Sequence, residues 1–329
     1  MSRSVSTNNP IKRAVNALKM PDTLGFVSIP ELKRRIKTQS KSRDNGLAFR
    51  CIKNGGDFIE RLAQRKAESR FINQENTYLC GPAAFMYCVA QAFPEVYERY
   101  VLELAIYGEA HLGKLKVTPS RACKEVIFDP TGYNISDVDW VALGSLRDST
   151  NRFYKMQNFR SGAASITMPG AMKAWFEHSG LFSQVENNTS LVRSGSFDNL
   201  LKANLKHKNG AYVCMIIRAS IIGSAGFELG RNKIMKDTPK TLLPSPDHWI
   251  VQRSPMRINY EPAPFPYLPG NISKKNNDPE NDSDKRDQPL NFSIYSWGDY
   301  RDLNKRVKTL TPRGFLRYYN GFVSAVPKK

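Results

Sequence analysis

The sequence predicts an α+β protein in which a helical region precedes an antiparallel β region. Apolar residues recur at helical spacing between about 57 and 180, whereas runs of β-branched residues are concentrated after residue 209. The chain has 329 residues, of which 40% are hydrophobic, and this composition supplies a core without disulfides. We expect a basic, partly disordered arm over residues 1–45 and one folded domain over residues 46–329.

Six helices are predicted from apolar periodicity and from residues that favour helix ends. The helix after Cys80 has Pro82 in its first turn, where backbone N–H groups lack intrahelical partners and a proline costs no hydrogen bond. The last helix has Thr167 as a cap residue, Pro169 near its start and Gly180 at its end. The six segments are 30–36, 57–70, 81–93, 97–112, 137–149 and 167–180.

Three strands are predicted in the second half of the chain, at residues 210–222, 248–252 and 291–298. Between the last two, the segment at about 261–289 is rich in proline, asparagine and charged residues, and its composition cannot form a core. We predict an exposed insertion in a hairpin connection, because doubling the length of a loop costs only ~0.6 kcal/mol. A lid that contacts a substrate is the alternative, since long loops beside catalytic strands often carry such contacts.

The chain is strongly basic, because 49 lysines and arginines against 30 acidic residues give a net charge of +19. This charge favours polyanions such as nucleic acid, anionic lipid headgroups or cell-wall polymers. Many of the basic residues lie between 33 and 70, and we interpret them as solvated helix faces. A dedicated contact with an anionic surface through the basic arm is the alternative. No RNA-binding signature with regularly placed aromatic residues interrupts them.

Cysteine content and the absence of common motifs exclude several classes of protein. The five cysteines are odd in number and include no CxxC pair, so neither a disulfide framework nor a zinc site is predicted, and a reducing compartment fits. The chain contains no nucleotide-binding loop, HExxH or calcium loop, so we predict no cofactor and no metal. The first residues lack the apolar core of a signal peptide, and no segment is apolar enough to span a bilayer. We therefore expect a protein that is cytoplasmic when made, has no integral membrane segment, and leaves its cell only through a system that needs no signal peptide.

The most informative pair of residues is Cys80 and His248. Cys80 stands where a polar segment is followed by apolar residues at helical spacing, which predicts that it lies at a helix start. The backbone N–H groups there have no intrahelical partners, and they favour the thiolate form of a nearby thiol. His248 lies on a strand-like segment, and a histidine brought beside a thiol by the fold can hold or accept its proton. The pair predicts a cysteine hydrolase with Cys80 as nucleophile and His248 as base. Cys88 and Cys214 lie in apolar runs and are expected in the core.

The order of these features resembles the papain-like cysteine hydrolases: a cysteine at a helix start, a helical lobe, a histidine on a strand, and Ser296-Trp297-Gly298 on the next strand. Gln74 stands six residues before Cys80, the spacing at which that family places the amide of its oxyanion hole. Asp247 precedes His248, as an acidic residue often does in the family. The resemblance implies a papain-like α+β fold, with a helical lobe that carries the nucleophile and an antiparallel β lobe that carries the histidine. It also implies that Gln74 is an oxyanion donor.

The resemblance covers about residues 70–300 and includes two departures from papain. A Gly-Pro pair follows the thiol where papain has a bulky aromatic residue, and this resembles bacterial branches such as peptidase C39-like domains and secreted papain-fold effectors. Tyr295 occupies the place of the family's orienting asparagine, for which an aromatic hydroxyl is a poor substitute. Asp299, just beyond the Trp-Gly turn, is the candidate for the third catalytic residue. Ser296 and Asn291 are its rivals, and a bare Cys/His dyad is a further alternative.

The resemblance implies a protease or amidase that acts on a protein, a peptide or peptidoglycan through a covalent acyl-enzyme. The signal-less start and the basic arm suit a bacterial effector or toxin delivered into another cell, for which an immunity or chaperone protein is the expected partner. A glutamine deamidase, a transglutaminase or an acyltransferase would use the same Cys/His site. The third alternative is a catalytically inert polyanion-binding protein with a degenerate papain-like fold.

Overall fold

A computed structural model describes residues 27–39, 46–128, 135–151, 167–222, 246–258, 285–303 and 310–329 of the chain. These residues form a mixed helix and sheet protein of the α+β class, as the sequence predicts. Residues 1–26 of the predicted arm and 261–284 of the predicted insertion lie outside the described residues. Within the described ranges, no helix is both long and apolar enough to cross a bilayer.

Helices dominate the first half of the described chain. Gly108 ends the helix that begins at Pro94, because its left-handed backbone, with φ at 71°, turns the chain out of the helical path. The predicted helix over 97–112 therefore stops at Tyr107, and a short strand follows it. The helices are α1 Ile29–Gln39, α2 Gly55–Ala67, α3 Cys80–Ala92, α4 Pro94–Tyr107, α5 Arg121–Lys124, α6 Asp137–Asp139, α7 Ser145–Thr150, α8 Pro169–Ser179, α9 Phe197–Lys208 and α10 Pro312–Leu316, with a π-helical turn, Trp140–Gly144, between α6 and α7.

The strands form one large sheet and two small ones. They are β1 Ala110–Leu112, β2 Leu115–Val117, β3 Phe182–Thr189, β4 Tyr212–Ile217, β5 His248–Gln252, β6 Arg257–Ile258, β7 Leu290–Asn291, β8 Ser293–Ser296, β9 Asp299–Asp302 and β10 Tyr319–Pro327. The large sheet is antiparallel and has the order β3-β10-β4-β5-β8-β9. β1 pairs with β2, and β6 pairs with β7. β4, β5 and β8 correspond in position to the three strands predicted from the sequence.

Three strands of the large sheet, β3, β9 and β10, are absent from the sequence-based prediction. β3 lies at an edge of the sheet and is mostly polar, so no apolar alternation marks it. β10 lies between β3 and β4 and pairs with both. Within it, Phe322 lies opposite Asn188 on one side and Met215 on the other. Pairing with residues so distant in the chain leaves no local signal in the sequence.

Helices cover the large sheet on both faces. On one face, Cys214, Trp249 and Val251 belong to the larger apolar cluster, which also contains α3. On the opposite face, Met215 and Ile250 pack in a second cluster with residues of α9 and α10. This division follows the alternation of side chains along a strand. β5 is buried on both faces, which explains its continuous apolar run after His248.

α1 lies within the segment predicted as a basic arm, but it packs into the domain. Leu32 and Ile36 lie four residues apart on one face of the helix and are fully buried against α2 and α4. Lys33 forms an ion pair with Glu98, a buried residue of α4. The folded domain therefore includes this helix and begins before residue 46.

Replacing Leu32 with alanine should lower the free energy of unfolding by about 2–5 kcal/mol, because a cavity would remain where α1 meets α2 and α4. Urea unfolding followed by circular dichroism measures the change. Thr38→Ala, on the exposed side of the same helix, is the matched control and should change stability by less than about 0.5 kcal/mol. Small and equal effects in both variants would show instead that α1 is a detachable part of an arm.

Candidate active site

Cys80 is the first residue of α3, a helix whose side chains are apolar on all sides and buried over most of its length. A helix of this kind is held in place because its whole surface packs in the core. Pro82 occupies the first turn, as expected. Cys80 is 7% exposed, whereas the other four cysteines are at most 2% exposed. Cys80 is therefore the most exposed of the five cysteine residues.

The start of β5 lies against the Cys80 thiol. The Sγ atom is 4.0 Å from the carbonyl oxygen of Asp247, and the backbone N–H of Trp249 lies near the same sulfur and lowers its pKa. These two residues flank His248, the first residue of β5. The structure therefore brings Cys80 to the main chain around His248, across a sequence separation of 167 positions to Asp247.

The ring of His248 is held by two neighbours. Its Nε2 atom is hydrogen-bonded to Ser296 Oγ at 2.7 Å. Its plane stacks on the indole of Trp297, with 4.0 Å between the ring centroids and 16° between the planes. His248 and Ser296 are both buried, which shields the bond from water. The imidazole therefore has a defined orientation.

The hydrogen bond that the sequence led us to expect from Asp299 is made by Ser296. Asp299 is exposed at the start of β9, and its carboxylate accepts a hydrogen bond at 2.7 Å from the next backbone N–H of its own strand. Asn291, the other rival, lies in the small β6–β7 sheet. Of the three candidates, the structure places Ser296 alone on the imidazole.

Tyr295 occupies the place of the family's orienting asparagine but faces the other side of the sheet. Its ring stacks on Tyr87 of α3, with centroids 4.1 Å apart, and its hydroxyl donates to the carbonyl oxygen of Ile72. Successive side chains of a strand point to opposite faces, so Tyr295 and Ser296 cannot both face His248. This alternation is visible in the sequence, and it is the signal that favours Ser296.

The turn between β8 and β9 connects the histidine to the loop before Cys80. Trp297 and Gly298 both have positive φ, at 48° and 70°, as a two-residue hairpin turn requires. This conformation strains an aromatic residue by roughly 1–3 kcal/mol. A Cβ atom at Gly298 would lie 2.7 Å from the side chain of Asn73, so the glycine lets the turn pack directly on that loop.

A buried ion pair lies against the loop before Cys80. Arg65 of α2 donates two hydrogen bonds to the carboxylate of Asp139, at 2.7 and 3.0 Å. The backbone N–H of Asn73 lies near the same carboxylate and favours its charged form. Asp139 is fully buried, and a buried carboxylate stays charged only with such partners. The pair therefore ties the loop to α2 and α6.

Gln74, the predicted oxyanion donor, is buried in this loop. Its side-chain N–H donates to the carbonyl oxygen of Thr77 at 2.9 Å, and the Thr77 hydroxyl donates to the Gln74 carbonyl oxygen at 2.6 Å. The first bond occupies one of the two N–H groups of the side-chain amide and holds the amide within its own loop. The second bond is accepted by the main-chain carbonyl of Gln74.

Burial raises the pKa of the Cys80 thiol to about 11. The N–H groups of Trp249, Gly81 and Cys80 lower the pKa, as expected at a helix start, but they offset only part of the effect of burial. The expectation that the helix start favours thiolate is therefore reversed. At neutral pH, Cys80 is a protonated thiol, and a base must take its proton before the sulfur can attack.

The remaining cysteines are buried in the core. Cys88 and Cys214 are fully buried, as predicted, with 3.8 Å between their Sγ atoms. Burial raises the pKa of Cys88 well above the usual thiol range. All five cysteines are free thiols. Within the described ranges, no cluster of histidine, cysteine and acidic side chains could hold a metal ion.

No protein-family model, curated protein or solved structure matches the chain. Function is therefore inferred from the geometry around Cys80 and His248 alone. That geometry consists of a thiol at a helix start, an oriented imidazole on the adjoining strand and a loop tied to both.

The rate of alkylation of Cys80 by iodoacetamide should rise about tenfold per pH unit between about pH 7 and 10, because thiolate is the reacting form and burial raises its pKa to about 11. Timed labelling followed by peptide mass spectrometry measures the rate. Cys51, which is less exposed and whose pKa burial also raises, is the internal control and should react more slowly at every pH. A rate that is constant between about pH 6 and 8 would contradict a neutral thiol and indicate a preformed thiolate–imidazolium pair.

Proposed function

We propose that the protein is a papain-like cysteine hydrolase in which Cys80 is the nucleophile, His248 is the base and Ser296 orients the imidazole. One observation carries the proposal. The Cys80 sulfur contacts peptide groups on both sides of His248, while the ring of this histidine is fixed by Ser296 and stacks on Trp297. A thiol, an imidazole and a group that orients the imidazole are the parts from which a catalytic triad is built.

The mechanism begins with a neutral thiol. Nδ1 of His248 takes the proton from Cys80 while the sulfur attacks the carbonyl carbon of an amide or ester, and the carbonyl electron pair moves to oxygen. As the intermediate collapses, the bond to the leaving amine or alcohol breaks and the leaving group takes the proton from His248. Water then attacks the thioester and gives a proton to His248. The acid product leaves, and the proton returns to the sulfur.

The start of α3 is suited to the negative charge of the intermediate. The first N–H groups of a helix have no intrahelical acceptor and attract anions. Those of Cys80 and Gly81 lie beside the thiol and lower its pKa. Gln74 retains one N–H beyond its bond to Thr77, which supports its proposed role as a second donor.

The proposed substrates are amides or esters in proteins, peptides or peptidoglycan. The net charge of +19 fits action at an anionic surface such as a cell wall or a membrane. Delivery as an effector or toxin, with an immunity or chaperone protein as partner, is part of the same proposal. Deamidation or acyl transfer would use the same residues and differ only in the bond that breaks and the acceptor.

Mass spectrometry distinguishes these reactions. The protein is incubated separately with a mixture of soluble proteins and with purified peptidoglycan, and the products are compared with those of Cys80→Ala. We expect new chain ends or cleaved amides that disappear completely in Cys80→Ala, because the covalent route needs the sulfur. Cys51→Ala, which changes a cysteine away from the site, should keep full activity.

Each other outcome has a defined meaning. A gain of about one dalton at glutamine without chain cleavage would indicate a deamidase, and a larger adduct would indicate acyl transfer. Products that persist in Cys80→Ala would contradict the assignment of the nucleophile. Absence of products together with an unreactive Cys80 would favour an inert polyanion-binding protein.

Ser296→Ala should reduce kcat for p-nitrophenyl acetate by about 10–100-fold with little change in KM, because Ser296 acts through the orientation of His248 and not on the substrate. Steady-state kinetics measures both constants. Ser296→Thr keeps a hydroxyl and should restore most of the activity. Equal activity in Ser296→Ala and the unmodified protein would show that the imidazole needs no orienting partner.

A further inference from the structure

A buried hydroxyl group lies against Gly81, the residue that follows Cys80 at the start of α3. Thr167, just before α8, is 3% exposed, and its Oγ1 atom has no hydrogen-bond partner among the described residues. Its carbonyl oxygen accepts a hydrogen bond from the indole N–H of Trp249 at 2.9 Å. A buried hydroxyl without a partner destabilises the folded protein. Such a group is expected to gain a partner at some stage of function.

The Thr167 side chain points at the first turn of α3. A Cβ atom on Gly81 would lie 2.3 Å from both Oγ1 and Cβ of Thr167, so only a glycine at this position leaves room for the hydroxyl. Trp249 holds Thr167 through its indole and contacts the Cys80 sulfur through its backbone N–H. Thr167, Gly81 and Trp249 therefore form one contiguous group around Cys80.

We infer that Thr167 is a further catalytic residue, whose hydroxyl donates a hydrogen bond to the oxyanion that forms when Cys80 attacks a carbonyl group. The inference rests on the proposed function. N–H groups at a helix start attract negative charge, and an unpartnered hydroxyl beside them adds a donor. The bond is absent in the resting protein and forms with the charged intermediate, so it stabilises the transition state more than the ground state.

The hydroxyl acts on the carbonyl oxygen rather than on the sulfur. The contacts of the Cys80 sulfur are with Asp247 and Trp249, and Thr167 makes no hydrogen bond to it. In the tetrahedral intermediate, the oxygen is two bonds away from the sulfur, so a donor that does not reach the sulfur can reach the oxygen. Alkylation by iodoacetamide forms no oxyanion, whereas acylation by an ester does. The two reactions therefore separate the two roles.

The test compares acylation and alkylation of Cys80 in the full-length protein. p-Nitrophenyl acetate acylates the sulfur: the S–C bond forms, the bond to p-nitrophenolate breaks, and the thiol proton passes to His248. Thr167→Val preserves the shape of the side chain and removes the hydroxyl. We expect its acylation rate constant, measured from the p-nitrophenolate burst, to fall by about tenfold or more, while alkylation by iodoacetamide changes by less than about twofold. Thr167→Ser should restore acylation.

Matched controls make the result specific. Ser145→Ala removes another fully buried hydroxyl without a partner among the described residues, and it should change neither rate. If the valine variant does not fold, Thr167→Ser against Thr167→Ala gives the same contrast. Equal acylation with and without the hydroxyl overturns the inference and leaves the proposed function intact, and so does an equal loss of acylation and alkylation. Failure of the unmodified protein to be acylated at Cys80 overturns the proposed function itself.

Discussion

The contact between the start of α3 and the start of β5 determines the geometry of the whole site. α3 is buried on all sides and β5 on both faces, so neither element can shift without opening the core. At their meeting point, the Cys80 sulfur lies against the carbonyl of Asp247 and the N–H of Trp249. A thiol from the helical half of the chain lies beside the main chain that flanks His248 because these two buried elements pack together.

The surrounding residues fix the two sides of this contact separately. On the thiol side, Asp139 and the hydroxyl of Tyr295 hold the loop that leads to Cys80. On the histidine side, Ser296 and Trp297 hold the ring. Tyr295 and Ser296 are neighbours in β8 and serve opposite sides of the sheet, which follows from strand alternation. The same close packing has a chemical consequence, because burial raises the pKa of the Cys80 thiol and the proposed reaction therefore needs a base.

The features of the site that depend on short stretches of sequence could be predicted from the sequence. The change from polar to apolar residues marked the helix start at Cys80, and the β-branched run marked the strand of His248.

Other parts depend on distant residues. The pairing of β10 with β3 and β4, and the burial of α1, arise from tertiary packing that leaves no local pattern. Burial also decides the protonation state of the thiol, and the position of a residue relative to a helix start does not reveal how deeply it is buried. The prediction that Thr167 caps α8 is wrong, because Met168 occupies the cap position and no side chain caps this helix. The place of Thr167 against Gly81 depends on the docking of α8 near α3. The choice between Asp299 and Ser296 is different: the two residues pair across the β8–β9 hairpin and share a face of the sheet, but Ser296 lies on the strand next to β5 and Asp299 lies one strand further away.

The most direct test of the central claim is a crystal structure of the resting protein, in which the distance from the Cys80 sulfur to Nδ1 of His248 is measured. The account predicts a distance of about 4 Å or less, with Nε2 on Ser296 Oγ, as a thiol and its base require. A sulfur enclosed by apolar side chains, with the imidazole turned away from it, would contradict the account.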